Sequence, residues 1–142
     1  MGEIRQLEQW YRMNQAQNFD DWREAMSMLS FASFNFVYAD KDDNIMFLHN
    51  SLTPRRMEGY EWNNYLPGDR SELIWKETLG FSQLPQVINP DAGFVLSANQ
   101  TPFRVTHPSE NPKPADYSPV HGFQLNMTNR ATRGLELFDS LL

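Results

Sequence analysis

The chain contains no cysteine. That absence removes disulfides, thiolate metal sites and a cysteine nucleophile together, while leaving the compartment open. Long apolar runs are missing too: none approaches the roughly 18 residues of a membrane span. Its first ten residues, MGEIRQLEQW, carry no apolar signal core, so no export signal is expected in the chain itself. Positive charge is scarce, with 12 Lys+Arg against 18 Asp+Glu and a net charge of −6 over 142 residues. Such a surface lacks the field that phosphate backbones and anionic lipids require, so neither nucleic acid nor an anionic membrane is an expected partner. There is no internal repeat or low-complexity segment, and no G-x-S-x-G elbow, P-loop or dinucleotide glycine fingerprint.

What is present suits one ordinary domain or a piece of a larger one. Aromatics make up 13% of the chain, and rings in that number need burial. Two helices are predicted within 1–30. In the first, Ile4, Leu7, Trp10 and Tyr11 recur at helical spacing and are expected to face the core. The second starts at Asn18, an N-cap, with Asp20 and Asp21 in the first turn and a stripe of Phe19, Trp22, Met26 and Leu29.

A β-hairpin over 33–50 follows. Its two runs, around Phe34 to Ala39 and Ile45 to His49, are joined by the turn-forming Asp42, Asp43 and Asn44. Both runs are apolar almost throughout, so cover on both faces is expected, and 142 residues leave little material to provide it. Residues 53–90 read as a long ordered excursion, rich in Pro and Gly and pinned by Trp62, Tyr65, Trp75 and Phe81. A third strand is predicted at 93–99, a surface loop at 106–121, and a helix at 128–142 with Thr128 or Asn129 as cap. That helix carries Ala131, Leu135, Phe138 and Leu141, and the chain ends as though cut mid-helix.

Little here announces chemistry. His49, His107 and His121 stand far apart, in no metal-ligand spacing, and read as ordinary polar or capping histidines. The Asp40, Asp42 and Asp43 cluster lacks the glycine and the distant Glu of a calcium loop, which favours a turn. No cofactor is expected. Asparagines and arginines do gather at strand ends: Asn35, Arg55, Arg56, Asn89 and Asn99. An amide such as Asn35 in an apolar strand must find partners or point into a site. Taken alone, these residues favour a structural network over a catalytic one.

In order, however, they form a pattern. Residues 34–40, FNFVYAD, then Asn44-Ile45 and Pro54-Arg55-Arg56 resemble the N-x-x-Y-A-D, G-N-I and P-x-R segments of the penicillin acylase (penicillin amidase) family. Leu66-Pro67-Gly68, Trp75, Leu84-Pro85, Asn89-Pro90, the run from Gly93 to Asn99 and the run from Thr128 to Arg133 continue it, so that the likeness covers about residues 16 to 142. The resemblance implies an α+β segment of an N-terminal nucleophile hydrolase, a partial αββα sandwich. It also implies a self-cleaving precursor whose second chain attacks a linear amide through its N-terminal Ser. The α-amine of that Ser, with a pKa of about 8, is a workable base at neutral pH.

By the same resemblance Asn35 belongs to the oxyanion hole and Arg56 organises the site. Substrates would be small N-acylated compounds, such as β-lactam side-chain amides, acyl-homoserine lactones or lipopeptides. The parent would be periplasmic or secreted. Departures are specific: the chain opens Met1-Gly2, lacks the S-N-x-W nucleophile segment, replaces a glycine-containing turn with residues 41–44, and has Ser51 where glycine is common. The expectation is an internal fragment of the second chain, inert by itself, whose partner is the rest of the precursor. The competing expectation is a stand-alone, non-catalytic or self-associating domain of the same fold. A fragment should expose Phe36, Tyr38, Ile45 or Phe47, or cover them with another copy.

Overall fold

The computed structural model describes residues 3–140. The Met1-Gly2 opening and the end at Leu141-Leu142 therefore lie outside the described residues. Helices α1 (Gln6–Gln15) and α2 (Phe19–Met26) precede strands β1 (Ser33–Ala39) and β2 (Ile45–Ser51); β3 (Gln86–Ile88) and α3 (Asn129–Asp139) follow. The strands form one antiparallel sheet in the order β1-β2-β3. This is an α+β arrangement.

Local chemistry sets the boundaries. Asn18 Oδ1 accepts the Asp21 N–H at 2.8 Å and opens α2, and Thr128 Oγ1 accepts the Ala131 N–H at 3.1 Å and opens α3. The turn between β1 and β2 is organised by Asp40, whose Oδ1 accepts the N–H groups of Asp42 and Asn44 at 2.9 and 3.0 Å. Tyr38 donates its hydroxyl to Asp40 Oδ2 at 2.9 Å. Burial and that contact push the phenol up to about 12.

The core lies on both faces of β2. Met46 and Leu48 meet Trp22 and Met26 of α2 on one face, while Phe47 meets Val87 of β3 and Val105 on the other. β2 is covered twice, as expected of an apolar strand. β1 is not: it is the sheet edge, and Phe34 and Val37 are about half exposed. The residues named in advance for exposure fare otherwise, since Phe47 is fully buried and Phe36 and Tyr38 pack partly against the α2 cluster.

Three expectations need correction. The stripe of Ile4, Leu7 and Tyr11 faces outward (88%, 80% and 66% exposed), and α1 instead turns Gln9 and Met13 inward, followed by Ala16 at its C-cap. The unpaired backbone groups after α2 need a polar partner, and buried Gln9 supplies one. Residues 93–99 form no strand. The sheet position beside β2 is taken by β3, too short between Pro85 and Pro90 to stand out in a turn-rich sequence. The 93–99 segment lies beneath the sheet, bonded through Leu96 N–H to Val105 O at 2.7 Å, with Phe94 stacked on Phe138 of α3. Finally, Tyr65 anchors nothing, because its side chain is fully exposed.

Candidate functional site

Counting back from the turn, where Ala39 faces Ile45, the antiparallel register sets Asn35 of β1 directly opposite His49 of β2. Both side chains point to the face away from α2. There they meet the loop around residues 99–124, and a cleft of about 440 Å³ opens between Asn35, His49, Asn99, Gln100 and Phe123.

Asn35 is held at both ends of its amide. Its Nδ2 donates to the Gln100 carbonyl at 3.1 Å, and its Oδ1 lies 2.7 Å from His49 Nδ1. A carbonyl can only accept, so the Gln100 bond fixes which end of the amide is nitrogen. Oδ1 can likewise only accept, so His49 carries its proton on Nδ1 and leaves Nε2 as an acceptor, 3.5 Å from Ser33 Oγ. Burial pulls His49 down to about 4, and the ring is neutral at pH 7. Phe123 meets it edge-on at 5.5 Å.

A second cleft, about 290 Å³, adjoins the first through Ser33, His49, Gly122 and Phe123 and is bounded by Arg56, Trp75 and His121. Arg56 lies beside a pair of indoles that contact each other, with Trp62 at 5.5 Å and Trp75 at 5.3 Å, and donates from Nη1 to the Val120 carbonyl at 3.0 Å. Arg56 Nε and His121 Nδ1 are buried without a hydrogen-bond partner among the described residues. Burial lowers the His121 pKa against the opposing pull of Glu58, with Arg55 and Arg56 adding to the decrease.

The two residues singled out from the sequence thus flank adjoining clefts, and His49 lines both. The other strand-end residues do structural work: Asn89 Oδ1 accepts the Ile45 N–H at 2.8 Å, Asn99 Oδ1 accepts Arg130 Nη2 at 2.8 Å, and Arg55 Nη2 binds Gln83 Oε1 at 2.6 Å. His49 was missed as a site residue although the hairpin count places it opposite Asn35. Gln100, Gly122 and Phe123 carry no such signal, since only the tertiary fold brings them here. Among the described residues no group of three His, Asp or Glu is placed to hold a metal ion, and no helix is long and apolar enough to cross a membrane.

Comparison with known proteins adds three findings. The sequence matches the family model described as penicillin amidase over residues 1–141. It is 29% identical over 100 residues to a penicillin G acylase of Escherichia coli, an alignment covering 70% of this chain and 12% of that protein. In fold it is similar to a solved thermostable penicillin G acylase from Alcaligenes faecalis, with a TM-score of 0.74 and 22% identity. That likeness spans 97% of this chain and 23% of the other. The chain therefore spans only a minor part of the length of either relative.

Proposed function

The chain belongs to the penicillin amidase family, and from that premise we propose that it is one segment of an amidohydrolase that cleaves linear N-acyl amides. In this reading Asn35 donates to the oxyanion of the tetrahedral intermediate and Arg56 organises the groups around the nucleophile. The nucleophile itself, an N-terminal residue using its own α-amine as base, belongs to the remainder of a self-processed precursor with an αββα sandwich. The parent is periplasmic or secreted.

The observation that carries the reading is the state of the Asn35 amide. Nδ2 has two hydrogens and spends one on Gln100, which leaves the other for an oxygen in the cleft. A donor fixed before reaction begins needs no reorganisation when charge develops, which is why such groups count heavily in acyl transfer. Arg56 fits its role because its buried Nε has no partner among the described residues and its guanidinium packs against the Trp62–Trp75 pair.

The test is the complete gene product assayed on a chromogenic N-acyl anilide. Asn35→Ala should lower kcat about 100- to 1,000-fold with the protein still folded; unchanged turnover removes Asn35 from the oxyanion hole. The half-exposed Phe34 and Val37 on the edge strand favour one other reading, a self-associating domain without catalysis. Sedimentation of the native polypeptide separates the two: a 16.6 kDa product that dimerises and hydrolyses no amide would support the second.

A further inference from the structure

Resting on the reading of Asn35 as an oxyanion donor, we infer that His49 is the positioning residue that keeps the Asn35 amide the right way round. A side-chain amide has two nearly isosteric orientations, and a half-turn about its last bond exchanges oxygen for nitrogen. In the wrong orientation Asn35 would present a carbonyl oxygen to the developing oxyanion and repel it. As long as His49 keeps its proton on Nδ1, 2.7 Å from Oδ1, it opposes that turn, because two donors would then face each other. The Gln100 carbonyl opposes it from the other side, where two acceptors would meet. The pair act as a polarity key on one amide.

The scaffold of His49 suits this role. Cross-strand register puts the two residues opposite each other, so the backbone ladder sets their separation. The Phe123 ring packs perpendicular to the imidazole at 5.5 Å. Ser33 Oγ, 3.5 Å from Nε2, can donate to the lone pair that the Nδ1–H tautomer leaves there. That distance and the exposure of Ser33 do not make the serine a nucleophile. His49 therefore acts on the reaction only through Asn35.

Elementary geometry supplies a selective test in the complete enzyme. An Asn side chain places its NH₂ where the histidine has Nδ1, and a Gln side chain places it where the histidine has Nε2. His49→Asn should keep kcat within about threefold, whereas His49→Gln and His49→Phe should lower it about tenfold with KM little changed, the scale of one hydrogen bond in the transition state. Added to Asn35→Ala, His49→Phe should cost nothing more. Should the phenylalanine variant fail to fold, the Asn and Gln pair decides alone.

If Asn35→Ala retains turnover, the oxyanion reading is what falls. If Asn35→Ala is slow while His49→Phe and His49→Gln are fast, the positioning role alone falls. Equal losses for Asn, Gln and Phe at position 49 also overturn it, because they would report packing and not a donor at Nδ1.

Discussion

Gln9 of α1 reaches across to Asn50 near the end of β2, its Nε2 3.4 Å from Asn50 Oδ1 in a fully buried contact. The same side chain accepts the Ser30 N–H at 2.7 Å and donates to Met26 O at 3.3 Å, while Asn50 Nδ2 also donates to Met26 O at 2.7 Å. Two amides thus satisfy the backbone where α2 ends and weld both helices to the central strand. Gln9→Ala should strand the Ser30 N–H and open a cavity, costing about 2–4 kcal/mol. Leu7→Ala, on the exposed face of the same helix, should stay within about 0.5 kcal/mol. Denaturant midpoints of the two variants check the contrast, and equal effects would mean α1 is not seated on Gln9.

Gly122 stands at φ 73°, and a methyl group there would lie 3.0 Å from Arg56 Nη1. Gly122→Ala should cost about 1–2 kcal/mol for the left-handed backbone. It should also push Arg56 off the Val120 carbonyl, lowering turnover of the complete enzyme more than Gly68→Ala, where nothing lies near the new methyl. Thermal unfolding and kcat, measured together, read both effects.

Trp62 and Trp75 would each cost about 3–5 kcal/mol on truncation if fully buried. Trp75 is about half exposed, and both indoles instead pack beside the Arg56 guanidinium. Trp75→Ala should therefore cost about 1 kcal/mol. A double-mutant cycle with Arg56→Met should return a coupling of about 0.5–1 kcal/mol, and a coupling of zero would leave the indoles without a role toward the guanidinium.

His49 has a folded pKa pulled down to about 4 from an ordinary 6.5. The unfolded chain therefore binds the proton first as pH falls, and stability drops between about 6.5 and 4 while it is flat above that window as far as this group is concerned. His121, also lowered, adds to the same trend. Melting temperature against pH should show the fall in the wild type and a shallower one in His49→Phe. An identical profile in the two would mean that His49 titrates normally.

Much of the architecture was legible in short stretches. The α2 stripe, the Asn18 and Thr128 caps and the hairpin turn depend on residues a few positions apart, where side-chain spacing and hydrogen-bonding type fix the local conformation. Elsewhere local reading failed for identifiable reasons. The stripe of Ile4, Leu7 and Tyr11 lost to Gln9 because burial of α1 was decided by the needs of a backbone 17 to 21 residues away. The apolar run at 93–99 lost its place beside β2 to β3, because a sheet position goes to whichever segment the chain can deliver in register.

The sequence by itself determined the hairpin with its Asp-rich turn and the ordered motifs that mark the family, whereas the pairing of Asn35 with His49 came with the strand register. The tertiary structure decided what that pair does. Gln100 and Phe123 arrive from more than fifty residues away to orient the amide and the ring, and the Val120 carbonyl arrives likewise to hold Arg56. Hydrogen-bond polarity is a property of groups in contact, and these contacts exist only after the loop has closed over the sheet.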